Sequence, residues 1–436
     1  MRRTLVLLFA SAAAAVTAFP ALFAQDKPAD GGAPKAPVAP DNYSETPDDL
    51  VPFRSVEPAR RFFVVPSEFR GPGRDDPPPA GLTSVKIGLI TPLSGPDETQ
   101  GRTIRQAVEL AFADANAAGG YVRAAGEKGL PFEAVLRDEG VRWGQAGDAL
   151  VDLVDLDGAW AVIGAYEDAN SHVMSRVVLK AQVSMVNTSG MDPTLTEHNV
   201  PWVLRNCPDD RRNAFRLLRK IFDEDKRERV VVFRATDRYG RTGVREFVDA
   251  TRRMHKPVPL EVRYEAKDAD FASRIERIRE AKPDAVVVWG RPGPTGVAVR
   301  AMRAAGITAQ IYAPDRVADP AYIQAAGVAA EGTIFTYPFD PRTGGRGWAE
   351  FKARYTERFG EAPDATAAFA YDGATMIVAA VRKTGLNRVR IRDELFALRT
   401  YEGVTGTIKF DATQNDVSPV VLGKVSKGRL VFGGGD

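Results

Sequence analysis

The sequence predicts an α/β protein built from two doubly wound parallel-sheet lobes. Three observations carry this. From Val85 onward, short Val- and Ile-rich runs alternate with amphipathic helical patterns, the signature of parallel strands buried on both faces. The alternation occurs as two runs separated near Leu204–Pro208. The chain of 436 residues also exceeds the roughly 250–300 residues at which a single core usually divides.

The elements follow in order. "VKIGLITP" reads as a strand, followed by a helix with Ile104, Ala107, Val108, Ala111, Phe112 and Ala115 on one face, stopped at Gly119-Gly120. Strand "PFEAVLRD", helix "QAGDALVDLVD", strand "AWAVIGAY", helix "SHVMSRVVLKAQ" and strand "VSMVNTS" complete the first run. The second run begins with helix "RRNAFRLLRKIF" and strand "RVVVFRA", then helix "GVREFVDATRR" and strand "LEVRYE". It continues through helix "FASRIERIREA", strand "DAVVVWG", helix "GVAVRAMRAAG" and strand "QIYAP". Phe351 to Leu398 is helical, and the chain ends in strands "GTIKFDA", "SPVVLGKVS" and "GRLVF". Helices followed by strands imply that the chain passes between lobes more than once.

The N-terminus reads differently. Arg2 and Arg3 precede an apolar run from Leu5 to Ala18, the pattern of a secretory signal peptide over residues 1–24, cleaved after Ala18 or, preferably, Ala24. The only cysteine is Cys207, so neither an internal disulfide nor a lipid anchor at the cleavage site is expected. An exported, unanchored chain points to the periplasm. Residues 25–81 hold 12 of the 30 prolines, a density that predicts an extended or disordered leader. One apolar island, "RRFFVVPSEF" (Arg60 to Phe69), interrupts it. Beyond Arg2 and Arg3 the chain has 57 basic and 57 acidic residues, which gives no electrostatic case for nucleic acid or an anionic membrane.

Catalytic motifs are scarce. There is no G-x-S-x-G elbow, Walker A loop or G-x-G-x-x-G fingerprint. "GRPGPTG" follows a strand and opens a helix, but its spacing and two prolines argue against a phosphate cradle. His172, His198 and His255 are scattered, and Cys207 has no partner cysteine, so no metal and no cofactor are expected. Binding is the better reading. In open α/β sheets, ligands lie beyond the carboxyl ends of the strands. There the turns offer Ser94 and Gln100, Glu167 and Asp168, Thr188 and Ser189, Tyr239, Arg291 and Asp315. Taken alone, Glu167 and Asp168 read as helix caps, Ser94 and Ser189 as turn residues, Tyr239 as packing and Arg291 as a surface ion-pair partner.

The segment "VKIGLITPLSGPDETQGRTIRQAVELAFADANAAGG" resembles the opening of the periplasmic leucine/isoleucine/valine-binding family, the type I solute-binding proteins of ABC transporters. "AVIGAYEDANSHVMS", "VSMVNTSGMDPTLTE", "VVVFRATDRYGRTGVREF", "KPDAVVVWGRPGPTGVAVRAMRAAGI", "EGTIFTYPF" and "FAYDGATMIVAAV" follow in the family order. The resemblance covers about Val85 to Phe432; the proline-rich leader is not a usual family feature. It implies two lobes, 82–205 with 336–404 and 206–335 with 405–436. They are joined by a three-crossover hinge near Leu204–Pro208, Gly332–Pro338 and Glu402–Thr407.

It also implies a ligand site formed by Gln100, Asp168, Ser189, Met191, Tyr239, Arg291, Asp315 and Tyr371. Asp168 stands where a small hydroxyl residue usually receives a ligand carboxylate, and Met191 where a threonine is common. Asp315 falls where an acid takes the ligand ammonium, and Tyr371 on a cleft aromatic. Arg291 stands where an aromatic or neutral residue is more usual. Asp168 would repel a carboxylate, so either Arg291 receives it or Arg291 pairs with an aspartate across the closed cleft around a neutral solute. Glu167 stays a cap. The expected partners are a small-molecule solute and an inner-membrane ABC permease, with the protein a monomer that performs no chemistry. The alternative is a ligand-sensing module reporting to a membrane signalling partner.

Overall fold

A computed structural model describes residues 68–433, apart from 143, 269, 343 and 344, and without the side chains of 345 and 346. The expected signal peptide, and the leader as far as residue 67, lie outside the described residues. Those described belong to one compact unit.

Two sheets organise it. The first is fully parallel, in the order β2-β1-β3-β4-β5, from β1 (Val85–Thr91), β2 (Phe132–Asp138), β3 (Ala161–Ile163), β4 (Ser184–Asn187) and β5 (Val203–Arg205). The second contains β6 (Val230–Ala235), β7 (Leu260–Tyr264), β8 (Ala285–Trp289), β9 (Gln310–Ala313), β10 (Ile334–Tyr337), β13 (Val421–Ser426) and β14 (Arg429–Phe432). Its order is β14-β13-β10-β9-β8-β6-β7, with β6 to β10 parallel and the last two strands antiparallel.

Strand periodicity explains the double winding. In the first sheet Ile90, Val162, Met185 and Val203 turn one way and pack with Leu150 and Leu153 of α2 (Gln145–Asp155) and Met174 and Val178 of α3 (Asp168–Ala181). Their neighbours Leu89, Ile163, Val186 and Leu204 turn the other way, into the core holding Ile104, Val108 and Phe112 of α1 (Glu98–Ala117). Successive strand residues point to opposite faces, so a continuous apolar run is what two helical layers require. At the end of β3 the chain reverses at Gly164, where φ is +141° and a Cβ would stand 2.3 Å from the Ile90 carbonyl oxygen. Only glycine fits there.

The chain leaves the first sheet after β5 and forms α5 (Asp210–Leu218), which packs on α6 (Arg238–Arg253); the short α4 (Thr194–Glu197) precedes this passage. α7 (Ala272–Glu280), α8 (Pro292–Ala304) and α9 (Pro320–Ala326) follow with the second sheet. The expected crossing at Gly332–Pro338 contains β10, which pairs with β9 and β13, so the chain leaves that sheet only at Pro338. α10 (Gly345–Phe359), α11 (Ala365–Thr384) and α12 (Arg388–Ala397) come next, with α11 packed along α1.

The stretch Glu402–Thr407, read as the third crossing, is instead the tip of a hairpin of β11 (Thr400–Gly403) and β12 (Gly406–Lys409). The Asp372 carboxylate on α11 pins it by accepting Val404 N–H at 2.7 Å and the Thr405 hydroxyl at 2.7 Å. The return to the second sheet runs from Phe410 to β13, and Asn415 bridges to Arg205 on the way.

Residues 68–84 form no regular element before β1, yet they are anchored. Phe69 meets Trp202 edge-on at 4.8 Å. Arg74 donates to both Asp393 oxygens, and Asn387 Nδ2 donates to the Gly73, Arg74 and Asp76 carbonyls. Local pattern cannot show such contacts, because the partners stand more than 100 residues away in sequence.

Candidate functional site

The carboxyl ends of strands from both sheets converge on one pocket. Gln100, Tyr166, Thr188, Ser189 and Met191 line it from the first sheet's turns. Pro292, Asp315, Arg316 and Asp319 line it from the second, and Tyr337, Asp364 and Phe369 close it along the return to α11. Its volume is only about 50 Å³, far below the ~300–1,000 Å³ of ordinary small-molecule sites. The reason is a side chain.

Arg316 follows β9 on a single 3₁₀ turn, Asp315–Val317. Its guanidinium lies between the Tyr166 and Tyr239 rings, 4.4 Å from each centroid. Nη2 donates to the Tyr166 and Ser189 carbonyl oxygens, both at 3.2 Å. Nη1 stands 3.6 Å from Glu167 Oε1, and Nε has no hydrogen-bond partner in the protein. Burial by itself would lower its pKa, but Tyr166, Glu167 and Tyr239 more than offset this and hold it well above the usual range. Arg316 therefore reaches from the second sheet's turns to the main chain of the first, as a cation held between two aromatic faces.

Acids surround it. The Glu139 carboxylate, at the end of β2, accepts from Tyr166 N, Glu167 N and Asn170 Nδ2 at 2.8–2.9 Å, and burial pushes its pKa up to about 7. Glu167 is also raised to about 7, first by burial. Asp315 accepts from Asn213 Nδ2 at 3.2 Å and Arg316 N at 2.9 Å, and burial lifts it to about 6. Asp210, fully buried with both carboxylate oxygens unpartnered, is raised well above normal by burial and then by Asp315 and Asp168.

The eight residues singled out from sequence divide. Gln100, Ser189, Met191 and Asp315 line the pocket, and Gln100 Nε2 donates to Asp319 Oδ2 across it at 3.3 Å. Tyr239 forms one wall of the Arg316 stack and leaves its hydroxyl unpartnered. Asp168 lies beneath the lining: Oδ1 accepts from Met191 N at 2.7 Å and Asp192 N at 3.0 Å, while Oδ2 has no partner. It thus shapes the 189–192 turn. Arg291 is the N-cap of α8 and pairs with Asp97, with Glu167 at 2.8 Å and with Asp237 at 3.7 Å. Arg291 thus pairs with acids from the first sheet's turns, Asp97 and Glu167.

Glu167 sits at the N-cap position of α3 but makes no side-chain cap. Its Oε1 faces Arg291 off the hydrogen-bonding direction, an ionic neighbour without a hydrogen bond. Tyr371 is carried out of the pocket. Its hydroxyl donates to Asp114 Oδ2 at 2.7 Å and accepts from Arg354, so it ties α11 to α1 and α10.

Sequence reasoning passed over Arg316 and Tyr166. Both adjoin residues it did name, Asp315 and Glu167. The available signal was an arginine at a strand-end turn with acids in several other turns. No group of three or more His, Cys, Asp or Glu among the described residues could hold a metal ion.

Two α/β sheets, one parallel and one largely parallel, whose strand ends share a cleft define a solute-receptor architecture. The chain belongs to the periplasmic binding protein family, whose sequence model matches residues 84–429. Leu/Ile/Val-binding protein homolog 2 of Brucella abortus is 27% identical over 353 residues, 80% of this chain and 92% of that protein. LivJ, the branched-chain amino acid transporter substrate-binding protein of Streptococcus pneumoniae solved with isoleucine, superposes with a TM-score of 0.71 at 23% identity. It covers 80% of this chain and 97% of its own. An ABC-transporter solute-binding protein of Rhodopseudomonas palustris BisB5, solved with 3,4-dihydroxybenzoic acid, gives 0.69 at 20% identity, covering 80% and 96%. The resemblance to the leucine/isoleucine/valine-binding family stands, and with it the type I fold.

Proposed function

We propose that this protein is the solute-binding component of an ABC importer, working in the periplasm and passing its solute to an inner-membrane permease without chemical change. The solute is amino-acid-like or another small polar metabolite, held as the two sheet-centred halves close. One observation carries this reading: turns from both sheets meet in a pocket lined by polar and charged side chains, and further buried polar groups beside that lining have no protein partner. Asp168 Oδ2, both Asp210 oxygens and the Tyr239 hydroxyl are buried and unpartnered, and buried polar groups are normally satisfied. The relatives are solute-binding proteins, which supports a binder rather than an enzyme.

A thermal-shift screen of the full chain against amino acids, organic acids, aromatic acids and polyamines tests the reading. A solute at about 100 times its dissociation constant stabilises the folded state by roughly 2.7 kcal/mol. A saturable shift with one compound class is the expected outcome. Turnover of a binding compound, or no shift with any class, would overturn it.

A further inference from the structure

Resting on that reading, we propose that Arg316 is a tethered stand-in for the solute. The solute carries a delocalised cation, a guanidinium first among these, which takes the place of Arg316 between Tyr166 and Tyr239.

The geometry is that of a cation site already filled from within the chain. Two tyrosine faces, one from each sheet's turns, stand 4.4 Å from the guanidinium carbon, and two main-chain carbonyls of the first sheet's turns accept its Nη2. Glu139, Glu167, Asp168, Asp210 and Asp315 all sense its charge. Among these, Asp168 Oδ2 and both Asp210 oxygens lie behind the pocket lining, buried without a hydrogen-bond partner. An incoming cation with additional N–H donors would also meet the Asp315, Asp319 and Asp364 carboxyls that line the pocket.

Arg316 is also loosely held for a buried arginine. Its carbonyl contacts are 3.2 Å, its ion pair is 3.6 Å, and Nε donates to nothing in the protein. An anionic solute anchored on Arg316 meets the opposite situation. It would enter a pocket lined by the Asp315, Asp319 and Asp364 carboxyls, and each of these that is ionised repels a buried anion. The second cation nearby, Arg291, is already paired with Asp97 and Glu167. The remaining 50 Å³ leaves no room for a solute beside Arg316, so binding and displacement of Arg316 are one event.

Isothermal titration of the full chain and of Arg316→Met, with L-arginine, agmatine, L-citrulline, L-leucine and benzoate, tests this. Citrulline keeps the shape of arginine without its charge. The wild-type chain should prefer arginine or agmatine over citrulline by about tenfold or more. Arg316→Met should bind the cation about tenfold more tightly again, because an internal competitor lowers apparent affinity by the fraction of time it occupies the site. Binding of benzoate or leucine that Arg316→Met abolishes would make Arg316 an anchor and overturn the inference, while leaving the receptor reading intact. Absence of any cation binding to the wild-type chain would overturn it as well, and the leucine and benzoate arms then judge the receptor reading separately. Should Arg316→Met fail to fold, the wild-type preference between arginine and citrulline decides.

Discussion

Two buried arginines, about a hundred residues apart in sequence, show how differently this fold treats a cation. Arg205 stands where the chain leaves the first sheet. Its Nε and Nη2 both donate to Asn415 Oδ1, at 2.9 and 2.7 Å, and Nη2 also donates to Asp209 Oδ2 at 3.0 Å. Nη1 donates to the Asp192 and Gly190 carbonyls. Every nitrogen is used, and the two side-chain partners, Asp209 and Asn415, come from two of the passages between the sheets. Arg316, in the pocket, keeps an idle Nε and only long contacts. A cation with all donors satisfied is a rivet; one held mainly by aromatic faces can be exchanged. The short hydrogen bonds lie where the passages hold together, and the long contacts lie in the pocket.

The contrast can be broken by experiment. Arg205→Ala leaves Asp209 and Asn415 buried without their cation and should cost about 3–5 kcal/mol of unfolding free energy, read by urea denaturation. A loss below 1 kcal/mol would erase the distinction between the two arginines. Next in size is a pH effect from the acid-lined pocket. Glu139 and Glu167 have folded pKa values near 7 against 4.5 in the free side chain. The folded state therefore holds more protons than the unfolded one between about pH 4.5 and 7.

Stability contributed by these two groups is present at low pH and falls as pH rises through that window, by roughly 2 kcal/mol for each group between about pH 5.5 and 7.5. Melting temperature measured from pH 5.5 to 7.5 should decline, and a cationic solute should flatten the decline. A rise over that range would mean the two carboxyls are satisfied better than their surroundings indicate.

Asp168 sharpens the boundary between rivet and exchangeable site. Asp168→Ala should cost about 1–3 kcal/mol, because Met191 and Asp192 N–H groups lose a buried acceptor. Asp168→Asn keeps Oδ1 and should recover most of that. Equal losses for the two variants would show that charge, not acceptor geometry, is what the turn needs. Smallest is Arg291→Ala at the partly exposed rim, expected to change stability by less than about 1 kcal/mol. Its clearer signature is a weaker salt dependence of solute affinity, since it removes the pairs with Asp97 and Glu167 across the cleft.

Much of the site's location was legible before the structure. The rule that ligands gather at the carboxyl ends of parallel strands led to Gln100, Ser189 and Asp315, while Met191 came from the family resemblance. The rule says nothing about where a side chain points. Asp168 and Tyr371 carry the right chemistry, but one turned under the lining to hold a turn and the other turned across α11 to Asp114. The hairpin at Glu402–Thr407 was hidden for a similar reason. Its anchor, Asp372, lies on a helix about thirty residues earlier.

By itself, the sequence determined the alternation of strands and helices, the burial of both sheet faces, the glycine at the reversal after β3 and the family order of motifs. These follow from side-chain period, backbone freedom and apolar content, which are properties of short stretches. Tertiary structure alone decided that residues 68–76 would clasp α12, that Arg205 would be riveted by a residue two hundred positions away, and that Arg316 would fill the pocket. Each depends on partners brought together from distant stretches, and electrostatic and aromatic contacts act through space, where sequence distance has no meaning.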